Sequence, residues 1–371
     1  RTVALTADAH FWQQKRVLVT GHTGFKGAWL SLWLHALGAK VYGYALPPPT
    51  LPSLYAHADV SGVISSTING DICDFARLSD VIRNIQPEIV FHLAAQALVR
   101  ESYAAPVATY AVNVQGVVNL LEAIRQIPTA RVVQIITSDK CYDNPETGIP
   151  LSEDQPFGGK DPYSSSKGCA ELITAAYRQS FFSGTAIDLA SVRAGNVIGG
   201  GDWAIDRIIP DAVRAAQNHT PLLLRNPNAT RPWQFVLEPL SAYLWLAQQQ
   251  WHHPSQFAEG WNFGPETDAA VTVKSLASRF YAVYGSGTVS TAPRNDENQY
   301  EAQILQLAIN KAKTRLHWSP AYTIDQTITQ TAEWYKNCGP SRAARDVRRY
   351  CFDQLDAYTR HARQKHILWA Q

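Results

Sequence analysis

Apolar positions along the chain fall into short β-branched runs separated by longer stretches of helical period. The short runs lie at residues 16–20, 40–46, 68–72, 88–96, 131–137 and 186–192. Runs this brief and this continuously apolar are expected of strands covered on both faces, as in a parallel sheet. Between them, residues 28–37, a segment starting near 75, 106–127 and 163–177 carry helical spacing. Strand alternating with helix predicts an α/β fold with a doubly wound parallel sheet and right-handed crossovers.

Past residue 192 the elements shorten and Pro and Asn become frequent, which predicts a smaller mixed α/β lobe. It would include a short strand at 261–265 and a helix at 272–284, while a helix at 237–247 returns to the first domain. The expected division is 12–192 plus 232–255 for the sheet domain, 193–231 plus 256–340 for the lobe, and 341–371 for an arginine-rich tail. That tail reads as a solvated helix or a subunit contact. Residues 1–14 lack a period and are expected to form a surface arm, and the glycine-rich 193–203 a loop outside the core.

The first strand runs directly into Gly21-His-Thr-Gly24-Phe-Lys-Gly27 and an apolar helix. Strand, glycine turn and helix in this order make a pyrophosphate site of the Rossmann type. Gly21 permits the turn, Gly24 lets amides approach phosphate, and Gly27 lets the helix pack on the strand. No acidic residue follows the second strand to hold a ribose; Pro47, Pro48 and Pro49 stand there instead. No arginine stands there either, which favours NAD over its 2′-phosphorylated form. Asp71 is placed to accept from an adenine amino group or, alternatively, to cap the helix starting near Phe75.

The fifth run ends in Ser138-Asp139-Lys140, at the edge of the sheet where such folds bind ligands. Further on, Tyr163 and Lys167 stand four apart on a helix and share a face. A phenol beside an ammonium has a depressed pKa and can take the proton of an alcohol while hydride leaves its carbon. A surface helix with a snorkelling lysine gives the same spacing, so the motif needs its context. His92, inside the fourth run, reads as a satisfied core histidine. Arg225 and Arg231, with Trp233 close by, suit a diphosphate and a flat base, or a surface with a packed indole.

A net charge of +2 gives no nucleic-acid-scale field, so a small molecule is the expected partner. Five scattered cysteines show neither CxxC nor metal spacing and read as reduced thiols. No apolar stretch reaches the roughly 18 residues of a membrane span, and the first residues lack a signal-peptide core, so a cytoplasmic location is expected.

Gly21–Gly27, Tyr44-Ala-Leu-Pro-Pro-Pro-Thr50, Thr137-Ser-Asp-Lys-Cys-Tyr142, Tyr163-Ser-Ser-Ser-Lys167, the segment from Arg193 to Trp203 and Arg231-Pro-Trp-Gln234 together resemble the extended short-chain dehydrogenase/reductases, and among them the CDP-glucose 4,6-dehydratases. The likeness spans residues 11 to about 337. It implies oxidation of CDP-glucose at carbon 4 with NAD, elimination of water across carbons 5 and 6, and return of the hydride to carbon 6. The product serves 3,6-dideoxyhexoses of bacterial surface polysaccharide. In the roles the resemblance implies, Tyr163 takes the carbon-4 hydroxyl proton, Lys167 assists it, Ser138 holds the substrate oxygen, and one of Asp139 and Lys140 removes the carbon-5 proton while the other protonates the leaving hydroxyl, Lys140 being the favoured base.

The implied cofactor contacts are Gly21, Thr23, Gly24, Phe25, Lys26, Gly27, Asp71, Ile72, Leu93, Ala94, Ala95, Gln96, Tyr163 and Lys167. Those for the substrate are Arg100, Asn196, Asp202, Trp203, Arg207, Arg231, Trp233 and Gln234. No metal is implied, and a homodimer or homotetramer is expected. Phe235 in place of histidine, Tyr300 opening the Tyr300-Glu-Ala302 segment in place of histidine, and Ile304 and Ala308 in place of polar residues depart from the pattern toward the substrate lobe. A 4-epimerase would share Ser138, Tyr163 and Lys167 but has no use for Asp139-Lys140. A non-catalytic NAD-binding protein would be free to lose Tyr163 or Lys167, and neither is lost.

Overall fold

The structure is a computed structural model that describes residues 10–266, 270–291 and 304–371. Its centre is a sheet of seven parallel strands: β1 (Arg16–Thr20), β2 (Lys40–Ala45), β3 (Ser66–Asn69), β4 (Ile89–His92), β5 (Val132–Ile136), β6 (Asp188–Ala194) and β7 (Gly260–Phe263). They are ordered β7-β6-β5-β4-β1-β2-β3. The winding direction reverses between β1 and β4, which opens a crevice at their carboxyl ends. Successive side chains enter opposite cores: Val17 and Val19 join one, Leu18 the other. Both faces are apolar, which is why the strands lack polar alternation.

Helices α1 (Phe25–Ala36), α2 (Phe75–Ile85), α3 (Pro106–Ile124), α4 (Pro162–Tyr177), α5 (Leu237–His252), α6 (Val273–Tyr284), α7 (Ile324–Asn337) and α8 (Ala344–Gln364) surround the sheet and build the lobe. On one face α2, α3 and α4 contribute Leu78, Ile82, Leu120 and Ala170. On the other, Trp29 and Trp33 of α1 and Leu240 and Leu244 of α5 pack with much of the lobe in one continuous core.

Several expectations change. The third strand is Ser66–Asn69; Gly70, against which the Tyr44 ring packs, still donates to the Ala45 carbonyl at 3.0 Å, and the chain turns after it. Asp74, not Asp71, caps the following helix, accepting from the Arg77 amide at 3.0 Å. Phe11 and Trp12 are core residues, packed against Trp251 and Phe91, so the expected surface arm does not extend to them. The 193–203 stretch is largely buried: Ile198 pairs with Phe235, and a Cβ on Gly200 would stand 1.9 Å from the Trp334 ring. Glycine there makes room for an indole.

The strand expected in the lobe is β7, hydrogen-bonded along β6 as part of the main sheet. The tail is no appendage. Val347, Cys351, Leu355, Tyr358 and Ala362 form a helical stripe inside the main core, with Tyr358 edge-on to Trp33 at 5.9 Å. Helix α3, contrary to the expectation, is long and apolar enough to span a membrane by length and composition, although half of its apolar window is buried in the fold. Phe235 is fully buried against Tyr322 and Tyr358, a core substitution. Tyr300, Glu301 and Ala302 lie outside the described residues.

Candidate active site

The site forms where the chain leaves β1, β4 and β5. Gly21 has φ +74°, a left-handed conformation, and a Cβ on it would stand 2.6 Å from the Ala94 amide nitrogen. A Cβ on Gly27 would stand 2.1 Å from the Gly21 carbonyl oxygen. Gly24, the N-cap of α1, has no side-chain cap, so the helix begins with its amide donors unclaimed by a capping side chain. Thr23 Oγ1 donates to the Leu46 carbonyl at 2.9 Å, joining the glycine turn to the end of β2. Beside the turn run the half-buried residues Leu93, Ala94, Ala95 and Gln96. The empty space at Gly24 and the bare helix start fit a dinucleotide pyrophosphate.

Asn113 of α3 ties this floor together. Its Oδ1 accepts from the Gln96 amide at 2.9 Å, and its Nδ2 donates to the Gln96 carbonyl and to Ser166 Oγ. The helix widens to a π turn at Ala111–Gln115 to present it, a distortion common at functional sites. Asp71 lies past β3, its Oδ1 accepting from the Cys73 amide at 2.9 Å, and Ile72 packs beneath α3.

Ser138 caps a tight 3₁₀ turn, Asp139–Cys141. Its hydroxyl donates to Asp139 Oδ1 at 2.9 Å, and Lys140 Nζ stands 3.6 Å from the same oxygen. Asp139 is buried, whereas 28% of the Lys140 side chain remains exposed. Asp139 Oδ2 is buried with no hydrogen-bond partner among the described residues, and the Cβ position at Gly195 lies 3.2 Å from it.

Tyr163 and Lys167 enter from the first turns of α4, whose N-cap Asp161 accepts from the Ser164 amide at 2.9 Å. The expected lowering of the phenol's pKa is absent: burial pushes Tyr163 up to about 12, against a hydrogen bond with Ser138 that pulls it down. Lys167 Nζ is 6.0 Å from the Tyr163 ring centroid and donates instead to the Ile136 carbonyl at 3.3 Å. Burial lowers Lys167 to about 8, opposed by Glu171. His92, buried, meets Thr20 Oγ1 at 2.8 Å.

Lys26 reaches this centre. Burial first, then Lys167 and Arg207, bring it down to about 7, and Asp139 opposes them. Its Nζ lies 5.9 Å from the Tyr243 ring centroid. The resemblance implies Lys26 as a cofactor contact; the structure also groups it with the reacting side chains. His22, packed edge-on to Tyr55, is lowered to about 4 by burial, opposed by the Tyr44 backbone.

The substrate residues divide. Arg207 pairs with Asp202 at 2.9 Å and interacts electrostatically with Tyr163. Asn196 and Gln234 are joined through their backbones at 2.9 Å, and each keeps a buried amide oxygen without a partner among the described residues. Arg231 is buried, its Nη1 donating to the Thr230 carbonyl at 3.0 Å. Arg100 is partly exposed and 3.6 Å from Asp206, which also pairs with Arg225. Trp203 and Trp233 are packed inside, the first edge-on to Tyr335 and the second donating to the Val271 carbonyl, so of the two readings of Trp233 the packed indole is the one seen. A buried network that the sequence reading missed, Glu171 with Arg193 and Tyr142, lies directly behind the turn at Asp139. The four-residue step from Lys167 to Glu171 was its available signal.

Comparison with known proteins agrees with this arrangement. CDP-glucose 4,6-dehydratase of Salmonella typhimurium is 49% identical over 334 residues, covering 89% of this chain and 92% of that protein. UDP-glucose 4-epimerase of Mycolicibacterium smegmatis is 27% identical, covering 87% and 99%. Among solved structures, an epimerase from Methanothermobacter thermautotrophicus superposes with TM-score 0.75 at 23% identity, covering 88% of this chain and 94% of that one. dTDP-glucose 4,6-dehydratase from Bacillus anthracis, in complex with NAD, superposes with TM-score 0.72 at 22% identity, covering 86% and 96%. A family profile described as GDP-mannose 4,6 dehydratase matches residues 18–331, and the chain belongs to that family of extended short-chain dehydrogenase/reductases.

Proposed function

We propose that this chain converts CDP-glucose to CDP-4-keto-6-deoxyglucose with NAD as a resident cofactor. The observation that carries the reading is Asp139 beside Lys140, a proton-handling couple set against Ser138 and Tyr163. The 49% identity to the Salmonella CDP-glucose enzyme supports it. Gly21–Gly27 and Leu93–Gln96 would hold NAD, which when bound would supply the hydride chemistry at carbons 4 and 6.

The protein's own groups move the protons. In the ligand-free site Tyr163 is a neutral phenol, so it accepts the carbon-4 hydroxyl proton only as its own proton departs. Ser138 bonds to Tyr163 and donates to Asp139 Oδ1, giving that proton a buried path to Asp139. Asp139 so protonated is the acid that elimination needs at the carbon-6 hydroxyl; Lys140, acting as the neutral amine, takes the proton from carbon 5, made acidic by the new ketone, and gives it back there as carbon 6 is reduced.

Incubation with CDP-, dTDP-, UDP- and GDP-linked hexoses, followed by mass spectrometry, tests the reading. Loss of water from CDP-glucose is expected. An isomer of equal mass from UDP-glucose would make the protein an epimerase instead. A homodimer is proposed through α3 and α4 and the turn after α4, whose exposed Val107, Tyr110, Leu172 and Phe181 suit a second copy; a monomer in sedimentation equilibrium would refute it.

A further inference from the structure

Behind the turn at Asp139 lies an ion pair with no direct part in the chemistry above. Arg193 of β6 grips Glu171 of α4 with both prongs, Nε to Oε1 and Nη2 to Oε2, each at 2.8 Å. Their side chains are 4% and 1% exposed. Ser191 Oγ donates to Oε2 at 2.6 Å and Thr137 Oγ1 to Oε1, so four donors satisfy the carboxylate. The third guanidinium nitrogen donates to the Tyr142 hydroxyl, which donates to Asn262 Oδ1 at 2.8 Å. Asn262 in turn donates to the Leu151 and Ala308 carbonyls.

Thr137 and Tyr142 bracket Ser138, Asp139 and Lys140, and both ends of that segment are tied to one pair. Glu171 stands one helical turn beyond Lys167. Buried ion pairs are poor sources of stability, and well-packed apolar replacements often match them, so a pair kept here calls for another reason.

We propose that Glu171 and Arg193 are positioning residues for the dehydration: together they hold the Thr137–Tyr142 segment in register with the helix bearing Tyr163 and Lys167, and keep a negative charge facing Lys167. The proposal rests on the dehydratase reading of the site. Around Lys167 stand Lys26 from α1, His92 from β4, Cys141 from the turn, and Tyr163 and Glu171 from its own helix. Of these Glu171, and after it Cys141, favour the charged ammonium, and Lys167 in turn pushes Lys26 toward the neutral amine.

The test compares wild type with a paired Glu171→Leu, Arg193→Met variant, which removes both members of the ion pair together, and with Arg193→Lys. Measured are thermal unfolding, NAD affinity, kcat and KM for CDP-glucose, kcat against pH, and amide exchange. In the paired variant kcat is expected to fall about a hundredfold, the scale of an ångström misplacement, with KM and NAD affinity near wild type. The alkaline limb of its kcat profile moves to lower pH, and exchange at 137–142 rises while β1 and α1 keep their protection. Arg193→Lys restores the position of the limb.

A stably folded paired variant with wild-type kcat and profile overturns the proposal. So does a parallel loss of kcat, NAD affinity and melting temperature without movement of the limb. If wild type leaves CDP-glucose untouched, the substrate reading falls. Exchange then decides separately, unchanged protection at 137–142 overturning the positioning role and a local rise there supporting it.

Discussion

Lys140 Nζ stands 3.6 Å from Asp139 Oδ1, and only the lysine of this couple remains partly open to solvent. The buried partner is reached through Ser138, whereas the lysine keeps 28% of its side chain exposed. Lys140→Ala is expected to lower turnover by about 10²–10⁴-fold, the usual range for one acid or base group, with NAD still bound. Stopped-flow kinetics with deuterium at carbon 5 checks this; turnover within about tenfold of wild type would remove Lys140 from the proton transfers.

Lys26 carries a stability consequence with a definite sign. Its folded pKa, about 7, lies below the ordinary 10.5, so the fold favours the neutral amine. Below pH 7 the cost of burying the charge is fully present, and it is relieved as pH rises from 7 toward 10.5. Lys26→Met should therefore raise the melting temperature of the ligand-free protein at pH 6, with a gain that shrinks toward pH 10. An equal gain at both pH values in calorimetry would contradict it.

Gly27→Ala places a methyl 2.1 Å from the Gly21 carbonyl oxygen, against backbone that cannot rotate away. Overpacking of this kind typically costs about 1–3 kcal/mol, and here it also displaces the turn proposed for pyrophosphate. Urea denaturation should show the loss, and NAD titration a parallel weakening. Gly24→Ala is milder in the ligand-free protein, since its nearest neighbour is 3.4 Å away.

The Tyr358 hydroxyl donates to Glu238 at 2.6 Å, and the same carboxylate accepts from the Ala321 and Tyr322 amides. Tyr358→Phe removes a buried donor to a carboxylate, which costs about 1.5–3 kcal/mol. Differential scanning calorimetry should find the loss, with kcat unchanged at temperatures where the variant is folded.

The sheet was legible because burial on both faces leaves its signature in short apolar runs: β1 carries Val17, Leu18 and Val19, and β5 is apolar but for the buried Gln134. The ends were less legible. The third strand ends at Asn69, before the apolar Ile72 that the sequence run included, because the chain turns at residues 72–73 and Ile72 packs into the core under α3. Helix α8 carries so many arginines that its stripe from Val347 to Ala362 was hidden, and β7 was misplaced because four residues cannot say which sheet they join. In the site, Tyr163, Lys167 and the turn from Ser138 to Lys140 stood out by spacing. Glu171, Arg193 and Tyr142 did not, since their partnership exists only where β5, β6 and α4 meet. The raised pKa of Tyr163 was equally out of reach, as it comes from burial rather than from its neighbour in sequence.

Trp33 and Tyr358 meet edge to face inside one core although nearly the whole chain separates them. During synthesis the first helix therefore emerges long before the side chain that completes its packing. At the usual 5–20 residues per second that interval is on the order of tens of seconds. Through it, the apolar face of α1 has no final partner, and the growing polypeptide depends on provisional cover. Late closure of this sort puts the yield of native protein under the control of elongation rate and chaperone supply, and makes premature termination costlier here than the modest size of the missing piece suggests.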